Sequence, residues 1–298
     1  MPPSATIESR LLVSPQADKD NNTVFGDWRS TGNAEVLILE AWGEGFMFGA
    51  LLIMSVITIA NMRRKVLLHK LILLELILAM SHDTFCFMSF RGYGWYLSST
   101  AALLYCSYFT HNVIAWMKIA PFFSGPQVFF GPTFCNWVRW IYLTTLAMSA
   151  PVLIFQMFNN FRFFSNTSRL YEHVRPYETL LRDPWWLFSC LTLIYMIQRC
   201  YSLNIVKVVA QYPRFSILFA AMCMALAFTI MDILASILPS LSITYGINPY
   251  WKLALVFRCL TDNIMLDNFQ SVLQQLLEDS TTMQCTMNMS LHDADHYG

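Results

Sequence analysis

Between positions 36 and 269 the chain alternates long apolar stretches with short polar breaks, and seven such stretches stand out: 36–61, 66–90, 94–117, 133–155, 185–208, 215–239 and 250–269. Each has about the length that a helix needs to cross ~30 Å of hydrocarbon. The period-two alternation that barrel strands require over about ten residues is missing, and lipid tolerates no unpaired backbone. The pattern therefore predicts an all-α fold, a polytopic membrane bundle of seven transmembrane helices over 36–269. The polar segment 1–35, with Pro2, Pro3, Pro15 and the run from Asp18 to Asn22, lacks the basic-then-apolar order of a cleaved signal, so the first span is expected to direct insertion. In segment 270–298, Val272, Leu273, Leu276 and Leu277 continue from Phe269 at helical spacing, opposite Gln274 and Glu278. This reads either as an amphipathic extension along the interface or as an overhang of the seventh helix, followed from 280 by a polar, disordered tail.

Composition agrees with a membrane class: 56 % of the 298 residues are apolar and only 13 % charged, with a mean hydropathy of +0.44. Net charge is zero and the basic residues form no stripe, so no nucleic acid partner is expected. Of the eight cysteines only Cys285 lies in a tail; Cys86, Cys106, Cys135, Cys190, Cys200, Cys223 and Cys259 sit in apolar segments as small apolar side chains. Without a C-x-x-C pair or a Cys/His cluster, neither a disulfide nor a metal is expected.

The cluster Arg63-Arg64-Lys65 between the first two spans reads as cytosolic, which puts the N-terminus in the lumen of the endoplasmic reticulum. Sequons at Asn21 and Asn166 then become luminal glycosylation acceptors, whereas the one at Asn288 is cytosolic. The loop carrying Arg169, Arg175 and Arg182 runs against that orientation.

Ionisable side chains at bilayer depth are expensive, so Glu44, Glu75, Asp83, His111, Arg139, Asp232, Arg258 and Asp262 are expected to face one another or a cavity. Glu40 and Glu44 share a face of the first helix, with Glu40 close enough to its end to reach water. A desolvated carboxyl favours its neutral form, as a general acid requires. Depth puts the proton donor among Glu44, Asp83 and Asp232. Glu75, His82, Tyr108, His111, Asn112, Arg258 and Asp262 are the substrate-orienting candidates. His82 and Asp83 are adjacent, so one of them at most is expected at the centre. Tyr108 and His111 share a face, while Trp116 reads as a headgroup anchor. Arg258 and Asp262 stand one turn apart, the spacing of an intrahelical ion pair. A subset of the many aromatic rings would suit a cation held away from water.

Several patterns are absent. The third span lacks Asp-Arg-Tyr, the seventh lacks Asn-Pro-x-x-Tyr, and Lys252 stands at the start of its span rather than at the depth of a retinal lysine. Asp262 and Asp267 do not make the Asp-rich motif of magnesium-dependent prenyl chemistry, and histidine boxes are missing. Metal-free acid–base chemistry on an apolar molecule fits what is present. Length, the seven-span layout, and the stretch from Ser81-His82-Asp83-Thr84-Phe85 through Gly94-Trp95-Tyr96-Leu97-Ser98 to His111-Asn112-Val113-Ile114-Ala115-Trp116 resemble the fungal membrane-bound terpene cyclases of ascofuranone, ascochlorin and macrophorin type meroterpenoid pathways. The resemblance implies protonation of an epoxide or olefin on a farnesylated phenol or quinone, ring closure and proton loss. It implies no cofactor, a substrate dissolved in the lipid bilayer, and an epoxidising monooxygenase as pathway partner. A seven-helix receptor-like sensor of unknown ligand is the alternative.

Overall fold

The structure, a computed structural model, describes residues 34–63, 65–84, 93–124, 131–165, 167–200, 213–238 and 248–266. These residues form eight helices and no strand: α1 (Ala34–Ala60), α2 (Leu67–Asp83), α3 (Tyr93–Ser124), α4 (Pro132–Phe164), α5 (Leu170–Arg182), α6 (Pro184–Cys200), α7 (Pro213–Ile237) and α8 (Tyr250–Leu266). Segments 1–33 and 267–298, with the glycosylation candidate Asn21 and the proposed amphipathic extension, lie outside the described residues, as does Asn166.

Three helical segments are long and apolar enough to cross a membrane unaided: Leu37–Ala60 in α1, Pro132–Phe164 in α4 and Phe215–Ile237 in α7. The helices α2, α6 and α8 are 17 residues each, about 25 Å long, and α2 and α8 carry charged side chains within that length. The expected all-α character is thus present, while among the described residues three of the helices have the length and apolarity of a span. An eighth helix, α5, occupies a stretch read from the sequence as loop. Its polar residues Tyr171, Arg175, Glu178 and Arg182 recur at helical spacing and meet Tyr105 and Tyr108 of α3 and Asp232 of α7. Leu170, His173 and Tyr177 are left on its outer side. Such a face has no long apolar run, which is why span-seeking logic passes over it.

The bundle is apolar outside as well as in. Ile53, Val56 and Ile59 of α1, Met148 and Ile154 of α4 and Ile217 of α7 are all more than half exposed, the pattern of surfaces made for lipid tails. Arg139, expected inside, is exposed on the outer side of α4, near the helix start where a long side chain can reach headgroups. Inside, α1, α2, α3 and α8 close on Met47, Leu51, Ile72, Leu76, Tyr105 and Leu255. A second cluster joins α3 to α4 through Ile119, Phe123, Tyr142 and Leu146, and a third joins α6 to α7 through Leu193, Leu218 and Met222. Trp116 stacks within the second cluster, 4.8 Å from the Tyr142 ring, rather than standing at the interface as an anchor. Asn263 of α8 donates to the Met54 carbonyl and the Thr58 hydroxyl of α1, both at 3.0 Å, so a polar clasp accompanies the apolar seam.

The start of α3 touches the end of α4 at Gly94, where a Cβ would stand 2.8 Å from the Phe164 carbonyl oxygen. Backbone cannot move aside as a flexible side chain can. Gly94→Ala should therefore lower stability by about 1–3 kcal/mol, the usual range for overpacking, while Gly49→Ala, at a site with nothing within 4 Å, should leave it unchanged. Thermal unfolding of detergent-solubilised protein checks the pair, and equal melting temperatures would contradict the contact.

Candidate functional site

Buried ionisable side chains gather in three clusters, each assembled from different helices. The first lies toward the start of α1. Lys252 of α8, 1 % exposed, places Nζ 2.8 Å from Glu40 Oε1 and 2.6 Å from Glu44 Oε1. The Asp83 carboxyl at the end of α2 is completely buried beside Glu44, its hydrogen-bonding neighbour, and no ion pair reaches it among the described residues. His82 is buried too, turned toward α3 and α8: its Nδ1 is 3.3 Å from the Thr100 hydroxyl and its ring 6.0 Å from that of Trp251. Of this adjacent pair, Asp83 faces the carboxyl cluster while His82 contacts the neighbouring helices α3 and α8, a division that follows from adjacent positions pointing to different sides of α2. Glu40 binds Lys252 rather than reaching out to water. Three carboxyls here share a single buried cation. Full ionisation would leave two uncompensated charges in the bundle, a cost of several kcal/mol per ion, and charge balance calls for two protons among them.

The second cluster sits halfway along α2, α3 and α8. His111 Nδ1 is 2.8 Å from Glu75 Oε1 and 3.2 Å from Asp262 Oδ2, with both carboxyls fully buried. The Lys118 ammonium, two turns further along α3, binds Asp262 Oδ1. Cys259 Sγ lies 3.5 Å from Glu75 Oε1, and Glu75 Oε2 has no partner. One atom each from Glu75, His111 and Asp262 falls within 4.8 Å of the others, so among the described residues this set is the one with the donors to hold a metal ion. That convergence was not visible in the sequence, since each donor comes from a different helix. With Lys118 already on Asp262 and the imidazole between the carboxyls, two cations can balance two anions without any ion added.

The third cluster surrounds the junction of α5 and α6. Asp183 receives Arg258 in a two-pronged contact, NH1 to Oδ1 and NH2 to Oδ2, and Arg182 Nε at 2.8 Å. Burial raises the Asp183 carboxyl, but the two guanidinium groups outweigh it and hold the acid well below the usual carboxylate range. Arg258 also donates to Thr229 at 2.5 Å and lies over the Trp186 ring; Arg182 lies over the Tyr108 ring, 4.6 Å from its centroid. Asn112 Nδ2 donates to the Arg182 carbonyl. Asp232 stands 3.5 Å from Arg182 and accepts from Asn248 at 2.6 Å.

Two sequence expectations are corrected by this arrangement. Glu44 and Asp83 meet, but Asp232 does not join them, because α8 packs between α7 and the α1–α2 pair. Arg258 and Asp262, one turn apart, do not pair with each other: Asp183 offers the guanidinium a planar two-oxygen partner across the bundle, and Asp262 turns to Lys118 and His111. Tyr108 and His111, on one face by spacing, serve different clusters. Residues missed from sequence are Lys118, Lys252 and Asp183. The first two stand near span ends where lysines commonly snorkel, and the third lies in the stretch taken for loop. Neither a family model, a curated protein nor a solved structure matches this chain.

The Arg258–Asp183 contact predicts a non-additive pair. Arg258→Leu alone should destabilise by at most about 3–5 kcal/mol, because Asp183 keeps Arg182 as its remaining partner, and combining it with Asp183→Leu should recover part of that loss. Combination with Asp262→Leu should instead give no recovery. Unfolding in detergent of the singles and both doubles measures the difference.

Proposed function

We propose that this chain is a seven-span enzyme of the endoplasmic reticulum membrane, a terpene cyclase that needs no metal and acts on a farnesylated phenol or quinone dissolved in the bilayer. The observation that carries the reading is Asp83: a carboxyl with no exposure and no ion-pair partner among the described residues, set beside a second carboxyl that already holds the only lysine in the cluster. An acid in that position keeps its proton for something other than a counter-ion.

The chemistry divides between two carboxyl systems. Asp83, supported by Glu44 and Lys252, gives its proton to the oxygen of a terminal epoxide, or to a terminal olefin, and the tertiary cation that forms is captured by the π-electrons of the next double bond. Trp251, whose ring borders both His82 and Lys252, presents an aromatic face to positive charge at that end. After ring closure a neighbouring carbon loses a proton to a base, and Glu75, with one oxygen free and its partner charges balanced, fits that role. The sum is an isomerisation: one proton enters, one leaves, and no electrons are exchanged. Glu75 and Asp83 lie eight residues apart on α2, about 12 Å along the axis, a separation suited to a long chain that is protonated at one place and deprotonated at another. A monooxygenase that makes the epoxide would act before it.

Microsomes containing this chain alone should convert an epoxyfarnesyl phenol to a cyclised isomer, and EDTA should leave the rate unchanged. Asp83→Asn should reduce turnover by about 10²–10⁴-fold, the range of a lost general acid, with Glu44→Gln also impaired and Asp232→Asn closer to wild type. Product analysis by mass spectrometry and NMR reads the result. An unchanged substrate would favour a receptor-like sensor, and activity lost to EDTA and restored by magnesium would overturn the acid–base mechanism.

A further inference from the structure

A base buried at mid-bundle must return its proton to water after every turnover, and Glu75 belongs to the part of the bundle where α2, α3 and α8 close on an apolar core that includes Ile72, Leu76, Leu104 and Leu255. One polar line leaves it. From Glu75 Oε1 the next atom is His111 Nδ1 at 2.8 Å, from there Asp262 Oδ2 at 3.2 Å, and Asp262 Oδ1 binds the Lys118 ammonium. Lys118 borders a cavity of about 20 Å³ between α3, α6, α7 and α8, whose lining includes Ser189, Cys190, Trp186 and Thr261. That space has room for at least one water, and the ammonium and two hydroxyl-bearing residues give it polar partners. At the opposite end, Glu75 Oε2 is buried without a partner, the one oxygen of the acid that is open to a proton from elsewhere.

The geometry points to a proton relay, Glu75 to His111 to Asp262 to Lys118, that exchanges protons between the bundle centre and water in this cavity. Because a single imidazole nitrogen faces both carboxyls, no ring rotation is needed. Nδ1 gives its proton to Asp262 and then takes the one on the Glu75 carboxyl, while Nε2 keeps its own hydrogen. Lys118 hands a proton to the cavity water and takes the one on Asp262, so each group returns to its starting state and one proton has moved. The other exchangeable groups nearby are the Thr261 hydroxyl, which donates to Asp262 Oδ1 at 3.3 Å, the Cys259 thiol, 3.5 Å from Glu75 Oε1, and the Ser189 hydroxyl and Cys190 thiol at the cavity; Arg258 is committed to Asp183 and Thr229. The role in turnover rests on the cyclase reading, whereas the relay itself does not.

A pH jump followed by infrared absorption of the protein in lipid nanodiscs tests the relay without substrate. The bands of the two carboxyls are assigned by their loss in Glu75→Gln and Asp262→Asn. Wild type should show both groups following the jump. Lys118→Met should slow both at least tenfold, while Lys118→Arg, which keeps charge but not proton release, should slow them to a similar degree. His111→Gln should slow Glu75 and spare Asp262. Helix content and melting temperature confirm that each variant is folded, and if Lys118→Met does not fold, Lys118→Arg and His111→Gln carry the test. A Glu75 band that responds as fast in the folded Lys118 and His111 variants as in wild type would overturn the relay, as would one that never responds in wild type. Should the chain prove to cyclise its substrate, Lys118→Arg should leave the first turnover intact and slow later ones; failure of cyclisation would remove the enzyme reading and leave the infrared result standing.

Discussion

A charge buried among helices in hydrocarbon has to find its opposite on another helix, and this constraint organises the whole bundle. Arg258 of α8 meets Asp183 at the α5–α6 junction, Lys252 of α8 meets Glu40 and Glu44 of α1, and Lys118 of α3 meets Asp262 of α8. Lipid tails are as apolar as leucine, so apolar burial alone distinguishes little between one helix arrangement and another. Counter-charges do distinguish, because a misplaced helix leaves ions unpaired at several kcal/mol each. The apolar clusters fill the space that these pairs define.

The three clusters differ in charge stoichiometry, and the proposed chemistry follows from that difference. Around Lys252 carboxyls outnumber cations, whereas around His111 and Lys118 two carboxyls face two basic groups. Around Arg258 the guanidinium groups of Arg182 and Arg258 fasten α5 and α6 to the bundle, and Asp183 is held ionised by them. An acid, a base and a brace can therefore be built from the same few residue types.

Helix class and most of the interior polar residues could be read from the sequence, since spans are legible as length and apolarity and charges inside them stand out. Glu44, Glu75, Asp83, His111, Arg258 and Asp262 are all buried as their positions in the spans suggest. Partner choice could not be read. Spacing favoured Arg258 with Asp262, but spacing describes one helix, and both residues are claimed by partners more than seventy positions away in the chain. Arg139 was misplaced for the related reason that depth along a helix says nothing of which side of it faces lipid. Lys118 and Lys252 were passed over because a lysine near a span end has an inexpensive alternative in the interface, and only the position of the opposing carboxyls shows that neither takes it. The helix α5 escaped notice because its inward face is polar, the reverse of the amphipathicity that marks a helix in a water-soluble protein.

All three clusters take a member from α8: Lys252, Arg258 and Asp262 point in different directions from one 17-residue helix. During synthesis α8 is the last of the described helices to emerge, so until it does, Glu40 and Glu44 lack their ammonium, Asp183 lacks one of its two guanidinium groups, and Lys118 and His111 lack a carboxylate. The earlier helices are thereby an incomplete set with its ionic groups still seeking water or one another. Closure of the bundle becomes a late, concerted event in which a single helix must arrive in one rotational setting, since turning it by one residue, about 100°, would misalign three ionic contacts together. A chain cut short before α8 would display its unmatched charges inside the membrane, a mark by which unfinished molecules differ physically from finished ones.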